Sequence, residues 1–195
     1  EAISAWAGEI HTYPDGLASE LRAALAEQAG VAPENIIVGN GSDEVLVITA
    51  ATFLNPGERA VIPAHTFSQY EFASRLYDGE PVFAPMRDGR ILLDEMRALI
   101  DGNTRLVFVC NPNNPTGTYV GAAELQAFAR EVPDDVLLIV DEAYNEFADA
   151  DDFPNAVELI GERENVLVLR TFSKLYGLAS LRVGYGIASA ELISS

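Results

Sequence analysis

Seven short apolar runs, most of them rich in β-branched residues, alternate along this chain with stretches of helical periodicity, and that alternation restricts the fold more than any other feature. The runs cover residues 36–38, 60–62, 81–83, 106–109, 136–140, 166–169 and 183–187. Their near-continuous hydrophobicity fits strands buried on both faces. Strands separated by helices build a mostly parallel sheet with helices packed against each side. The expectation is therefore an α/β chain, a three-layer αβα arrangement around a mostly parallel seven-stranded sheet. The first helix is expected from Leu17, Leu21, Ala24 and Leu25 to Ala29, ended by Gly30 with Pro33 beyond. Further helices are expected at 43–53, 67–77, 94–100, 122–131 and 155–161. No internal repeat or low-complexity tract interrupts the pattern, and 195 residues suit one domain.

In open α/β sheets ligands bind beyond the carboxyl ends of the strands, so the loops that follow the runs hold the candidate chemistry. Gly39-Asn40-Gly41-Ser42-Asp43-Glu44 joins a strand to a helix. Glycines there permit close backbone approach, and a helix N-terminus offers free amides to a phosphate. A plain N-cap, with Ser42 or Asp43 closing the helix, explains the same residues. Glu44 stands where a dinucleotide fingerprint needs its third glycine. Asn111-Pro112-Asn113-Asn114-Pro115-Thr116-Gly117 is more constrained than an ordinary turn requires, with two prolines fixing φ and three amide side chains in one rigid loop. Asp141-Glu142-Ala143-Tyr144 places a carboxylate at a strand end, a pattern equally served by a cap or a solvated turn.

Charge composition gives the next constraint. Thirty acidic residues face twelve basic ones, a net charge of −18, which repels nucleic acid and anionic membrane surfaces. The acids are scattered, which makes a charged surface and not an acidic tail. So acidic and lysine-poor a surface suits adaptation to high salt, where cations screen self-repulsion, with an ordinary acidic cytoplasmic protein as the alternative. Eleven of the basic residues are arginine and Lys174 is the only lysine, set in Thr171-Phe172-Ser173-Lys174. A lone lysine in a chain that otherwise uses arginine implies work that guanidinium cannot do, and forming an imine is such work. Cys110 ends an apolar run and reads as a buried structural thiol. His11 and His65 are isolated, no Cys-x-x-Cys or His-Glu-x-x-His pattern occurs, and no metal site is expected. Gly-x-Ser-x-Gly is absent, and Thr171 breaks a Ser-x-x-Lys reading, which disfavours a serine hydrolase. No apolar run reaches membrane-spanning length, and Glu1-Ala2-Ile3-Ser4 lacks the pattern of a secretory signal, so a cytoplasmic location is expected.

Read together, and in this order, these segments resemble the fold-type I pyridoxal-5′-phosphate (PLP) enzymes, and among them the aminotransferases. The resemblance covers nearly the whole chain. It implies that Lys174 bonds covalently to the cofactor and later moves a proton at the substrate's α-carbon. Asp141 would pair with the ring nitrogen, and Asn114 and Tyr144 would hydrogen-bond the phenolic oxygen. The phosphate would rest on the amides of Ser42 and Asp43, with the hydroxyls of Thr171 and Ser173 and the guanidinium of Arg182. Phe67, within Pro63-Ala64-His65-Thr66-Phe67-Ser68, would stack on the ring.

A narrower resemblance, carried by Tyr13-Pro14-Asp15-Gly16, Gly41–Glu44 and Phe172–Ala179, is to the histidinol-phosphate aminotransferases. It implies a homodimer in which Tyr13 reaches the phosphate of the neighbouring subunit, with L-histidinol phosphate as amino donor and 2-oxoglutarate as acceptor. Thr12 departs from that group, which commonly has arginine there. Residues 1–16 are expected to form an N-terminal arm and 17–195 the PLP-binding large domain, with the group's C-terminal small domain outside this chain. The cofactor motifs also suit an aromatic aminotransferase or an amino-acid-phosphate decarboxylase. A non-catalytic PLP-binding dimerisation module is the reading from another class.

Overall fold

The structure, a computed structural model, describes residues 2–195. All seven expected strands form one sheet: β1 (Ile36–Asn40), β2 (Arg59–Pro63), β3 (Glu80–Ala84), β6 (Thr104–Cys110), β7 (Leu137–Asp141), β8 (Val166–Thr171) and β9 (Val183–Ile187). Their spatial order is β1-β9-β8-β7-β6-β2-β3. A two-stranded ribbon of β4 (Met86–Arg87) and β5 (Arg90–Ile91), outside the expected pattern, stands apart from it. The pairs from β3 through β2, β6 and β7 to β8 are parallel, whereas β9 is antiparallel to both β8 and β1. β1 therefore runs the same way as β8.

Helices α1 (Ala2–Trp6), α2 (Ser19–Ala29), α3 (Ser42–Phe53), α4 (Gln69–Leu76), α5 (Leu93–Leu99), α6 (Ala122–Glu131) and α7 (Ala190–Ile193) complete the chain. The two-residue periodicity of the strands divides their side chains between two cores. Val107 and Val109 of β6, with Leu138 and Val140 of β7, pack with residues of α2, α5 and α6. Leu106, Phe108, Leu137 and Ile139 point the other way, into a core shared with α3 and α4. These two apolar layers, one on each face of the sheet, are the αβα arrangement.

Three expectations need correction. Residues 156–161 form a 3-10 helix and not an α-helix. The helix expected from residue 67 starts at Gln69, leaving Phe67 in the loop before it. The helix expected from Leu17 starts at Ser19, because Ala18 takes a left-handed φ of 48° and the Asp15 carboxylate accepts from the amides of Leu17 and Ser19. Among the described residues no helix is long and apolar enough to cross a membrane.

The strand directions fix the position of the site. The carboxyl ends of β1, β2, β6, β7 and β8 share one edge of the sheet, and the reversed β9 begins at that same edge. Residues far apart in sequence are thereby gathered around one crevice.

Candidate active site

A cavity of ≈ 140 Å³ opens at this edge, and every predicted cofactor residue except Tyr13 lines it. β1 delivers Ser42 and Asp43 at the start of α3, β2 delivers Phe67, β6 delivers Asn114, and β7 delivers Asp141 and Tyr144. β8 supplies Thr171, Ser173 and Lys174, and Arg182 immediately precedes β9. Tyr13 is fully exposed and lies outside the cavity.

One corner is built for an anion. The N-cap of α3 is Gly41, with φ 81° and no side-chain cap, so neither Ser42 nor Asp43 closes the helix. The amides of Ser42 and Asp43 consequently face the cavity end of α3 with the positive end of the helix dipole behind them. Arg182 stands beside them, its Nη2 donating to Oδ2 of Asp43 at 3.0 Å and its Nη1 to the Ala179 carbonyl at 3.2 Å. Two glycines make this packing possible. A Cβ on Gly41 would lie 2.4 Å from the Arg182 guanidinium, and one on Gly184 would lie 2.2 Å from the Ser42 amide nitrogen. Thr171 and Ser173 are linked by a 2.9 Å hydroxyl–hydroxyl hydrogen bond, and the Ser173 amide donates to the Thr171 oxygen.

The cavity also carries a buried carboxylate. Asp141 is 2 % exposed; its Oδ1 accepts from the Ala143 amide at 3.0 Å and its Oδ2 from the Tyr70 hydroxyl at 2.7 Å. Burial raises its pKa to about 6 against the pull of those two donors, with the charges of Asp43 and Glu142 adding to the rise. Lys174 Nζ sits over the Tyr144 ring, 5.1 Å from its centroid.

The three asparagines of the proline-rich loop have separate tasks. Asn111 exchanges hydrogen bonds with the backbone of Val120, and Asn113 binds Thr66, Thr116 and the His65 carbonyl. Both hold the loop together, and only Asn114 of the three faces this cavity. A second cavity, ≈ 470 Å³, shares Asn114 and Tyr144 with the first and extends past Phe147.

Cys110 is the buried thiol expected, although it borders the cavity; burial and the charge of Asp141 push its pKa up to about 12, far from a reactive thiolate. Sequence reasoning missed Tyr70, which is wholly buried and stacked on Phe108 at 4.8 Å. It also missed the ion pair of Glu142 with Arg170, behind the site. Tyr70 lies three residues after Phe67 at the start of a helix, and that spacing is the signal that could have found it.

The family model for aminotransferase class I and II matches residues 2–195. The chain belongs to this aminotransferase family. Among curated members, the histidinol-phosphate aminotransferase of Moorella thermoacetica is 49% identical over 194 residues, covering 99% of this chain and 50% of that protein. The corresponding enzyme of Halalkalibacterium halodurans is 50% identical over 193 residues, covering 99% and 52%. The crystal structure of histidinol-phosphate aminotransferase from Sinorhizobium meliloti in complex with pyridoxal-5′-phosphate superimposes with a TM-score of 0.93. It is 34% identical and matches 99% of this chain and 52% of that one. The chain thus spans about half the length of the aminotransferases it matches.

Proposed function

We propose that this chain is the cofactor-binding part of a PLP-dependent aminotransferase that converts L-histidinol phosphate and 2-oxoglutarate to imidazole acetol phosphate and L-glutamate. The observation that carries the reading is one cavity holding the only lysine, a buried carboxylate and an anion corner. The donor set fits the cofactor. Helix amides, two hydroxyls and a guanidinium suit a phosphate, an acceptor-only carboxylate suits a protonated ring nitrogen, and Phe67 suits a flat ring.

When bound, PLP supplies a carbonyl carbon that bonds to amines and a ring that draws electrons from the substrate's α-carbon. Lys174 would contribute the amine that holds the cofactor and would serve as the base for the proton on the substrate's α-carbon. Asp141 keeps the ring nitrogen protonated. Asn114 and Tyr144 bind the phenolic oxygen, and the amides of Ser42 and Asp43 with Thr171, Ser173 and Arg182 bind the phosphate. Residues 1–16 act as an arm and 17–195 as the large domain. The protein works as a homodimer in the cytoplasm, with Tyr13 reaching the partner's site; its full exposure suits that role.

Borohydride reduction after incubation with PLP, followed by peptide mapping, tests the cofactor reading. Label on Lys174 is expected, and label confined to the amino terminus would overturn it. Formation of glutamate from 2-oxoglutarate, dependent on L-histidinol phosphate, tests the substrate.

A further inference from the structure

Asp141 belongs to a four-residue unit that reaches past the cavity. Its Oδ2 receives the Tyr70 hydroxyl at 2.7 Å, and the Tyr70 ring lies flat on Phe108, 4.8 Å between centroids and 10° from parallel. Phe67, which lines the cavity, meets the Tyr70 ring in an edge-on arrangement, 5.7 Å between centroids. Tyr70 does not line the cavity itself, and its hydroxyl is completely buried. Stacking on Phe108 fixes where the Tyr70 ring lies, and the position it fixes puts the hydroxyl oxygen within hydrogen-bond distance of the carboxylate.

We propose that Tyr70 is a positioning residue for Asp141, fixing the carboxylate's orientation and holding it ionised so that it can receive a protonated ring nitrogen. This rests on the PLP reading above. The choice of a neutral donor has a physical reason. A lysine or arginine at this place would cancel the carboxylate's charge, leaving less of it for a cationic ring. A hydroxyl stabilises the anion and leaves its net charge available.

The other groups around Asp141 act mostly against ionisation. Asp43 of α3 and the adjacent Glu142 are like charges, and Cys110 of β6 is a buried neutral thiol. Lys174 and Arg182 line the same cavity, but Arg182 is paired with Asp43 and Lys174 lies over Tyr144. That leaves the Tyr70 hydroxyl and the Ala143 amide as the donors bonded to the carboxylate. Burial raises the pKa of Asp141 while both of these lower it, Tyr70 the more strongly of the two.

The test is Tyr70→Phe, which keeps the stacked ring and removes only the donor. The Asp141 titration is followed in the cofactor-free protein by carboxyl-carbon NMR, with Asp141→Asn assigning the resonance. The midpoint should rise by about one to two pH units, the worth of a hydrogen bond to a buried charge. PLP affinity should fall about tenfold to a hundredfold near neutral pH and converge with the wild type in alkaline solution, where both carboxylates are ionised. An unchanged midpoint, an affinity loss equal at every pH, or failure of Tyr70→Phe to fold would each overturn the proposal, the last because the hydroxyl would then be serving the core. If the wild type takes up no PLP while the midpoint still rises in Tyr70→Phe, the positioning of Asp141 stands and the PLP reading fails.

Discussion

Nε and Nη2 of Arg170 both donate to one carboxylate oxygen of Glu142, at 2.9 and 2.7 Å, with the carboxylate buried and the guanidinium partly buried. The other Glu142 oxygen accepts from the Ala156 amide at 2.9 Å. Glu142 follows Asp141 and Arg170 precedes Thr171, so this pair ties together the strand ends that carry both halves of the cavity. Burial raises the pKa of Glu142 and the Arg170 charge opposes it. Arg170→Met should therefore destabilise the fold by about 3–5 kcal/mol at neutral pH, the cost of stranding a buried charge. The loss should shrink in acid, where Glu142 takes up a proton. Denaturant melts at two pH values check this, and an equal loss at both would remove Glu142 as its cause.

Asp141 makes a second pH prediction, with a sign opposite to that of most carboxylates. Its folded pKa is raised from 3.8 to about 6, so the folded state binds the proton more tightly than the unfolded one. Its contribution to stability is present below the unfolded value and is lost as pH rises through that window, up to roughly 3 kcal/mol. Asp141→Asn should make the cofactor-free protein more stable than wild type at neutral pH, with the advantage gone in acid. If Asp141 pairs with the ring nitrogen as proposed, the same change should cost several kcal/mol in transamination. Thermal melts without cofactor decide the first part; a variant less stable than wild type at neutral pH would contradict it.

Lys174→Ala and Lys174→Arg should both abolish covalent labelling by PLP and borohydride, since the amino terminus is the only other amine in this chain. Lys174 is exposed, so circular dichroism should show the fold retained. Strong labelling of the arginine variant would show that the bond forms elsewhere.

Gly184→Ala probes the anion corner without touching a charged group. The new methyl would meet backbone, 2.2 Å from the Ser42 amide nitrogen, and backbone cannot step aside as a flexible side chain can. The variant should lose about 1–3 kcal/mol of stability and bind inorganic phosphate more weakly than wild type. Unaltered phosphate binding, measured by calorimetry, would place the anion somewhere else.

A net charge of −18 also predicts salt dependence. Screening of carboxylate repulsion should raise the melting temperature between low and molar chloride, and sulfate serves as the comparison because it strengthens apolar burial as well. A melting temperature flat in chloride would show the acidity to be ordinary surface charge.

The sequence by itself determined what depends on local pattern. The apolar runs of the sheet were readable because burial on both faces leaves a mark inside each strand. Asn114 was readable because its loop is too constrained for a plain turn, and Lys174 because it is the only lysine. Ser42 and Asp141 stand in patterns that a cap or turn explains equally well, and were readable only through the order of all four segments together. Only the tertiary structure decided the partners. Tyr70 and Asp141 are 71 residues apart, and nothing near either one marks the other. They meet because β2 and β7 run the same way on either side of β6, so that the Tyr70 side chain of α4 reaches the end of β7. The tertiary structure likewise separated Asn114 from Asn111 and Asn113, three identical side chains in one loop, by which hydrogen bonds the neighbouring backbone left to satisfy. It also reversed β9, whose apolar pattern is the same in either direction, because a strand's hydrophobic alternation records which faces are buried and not which way the chain runs.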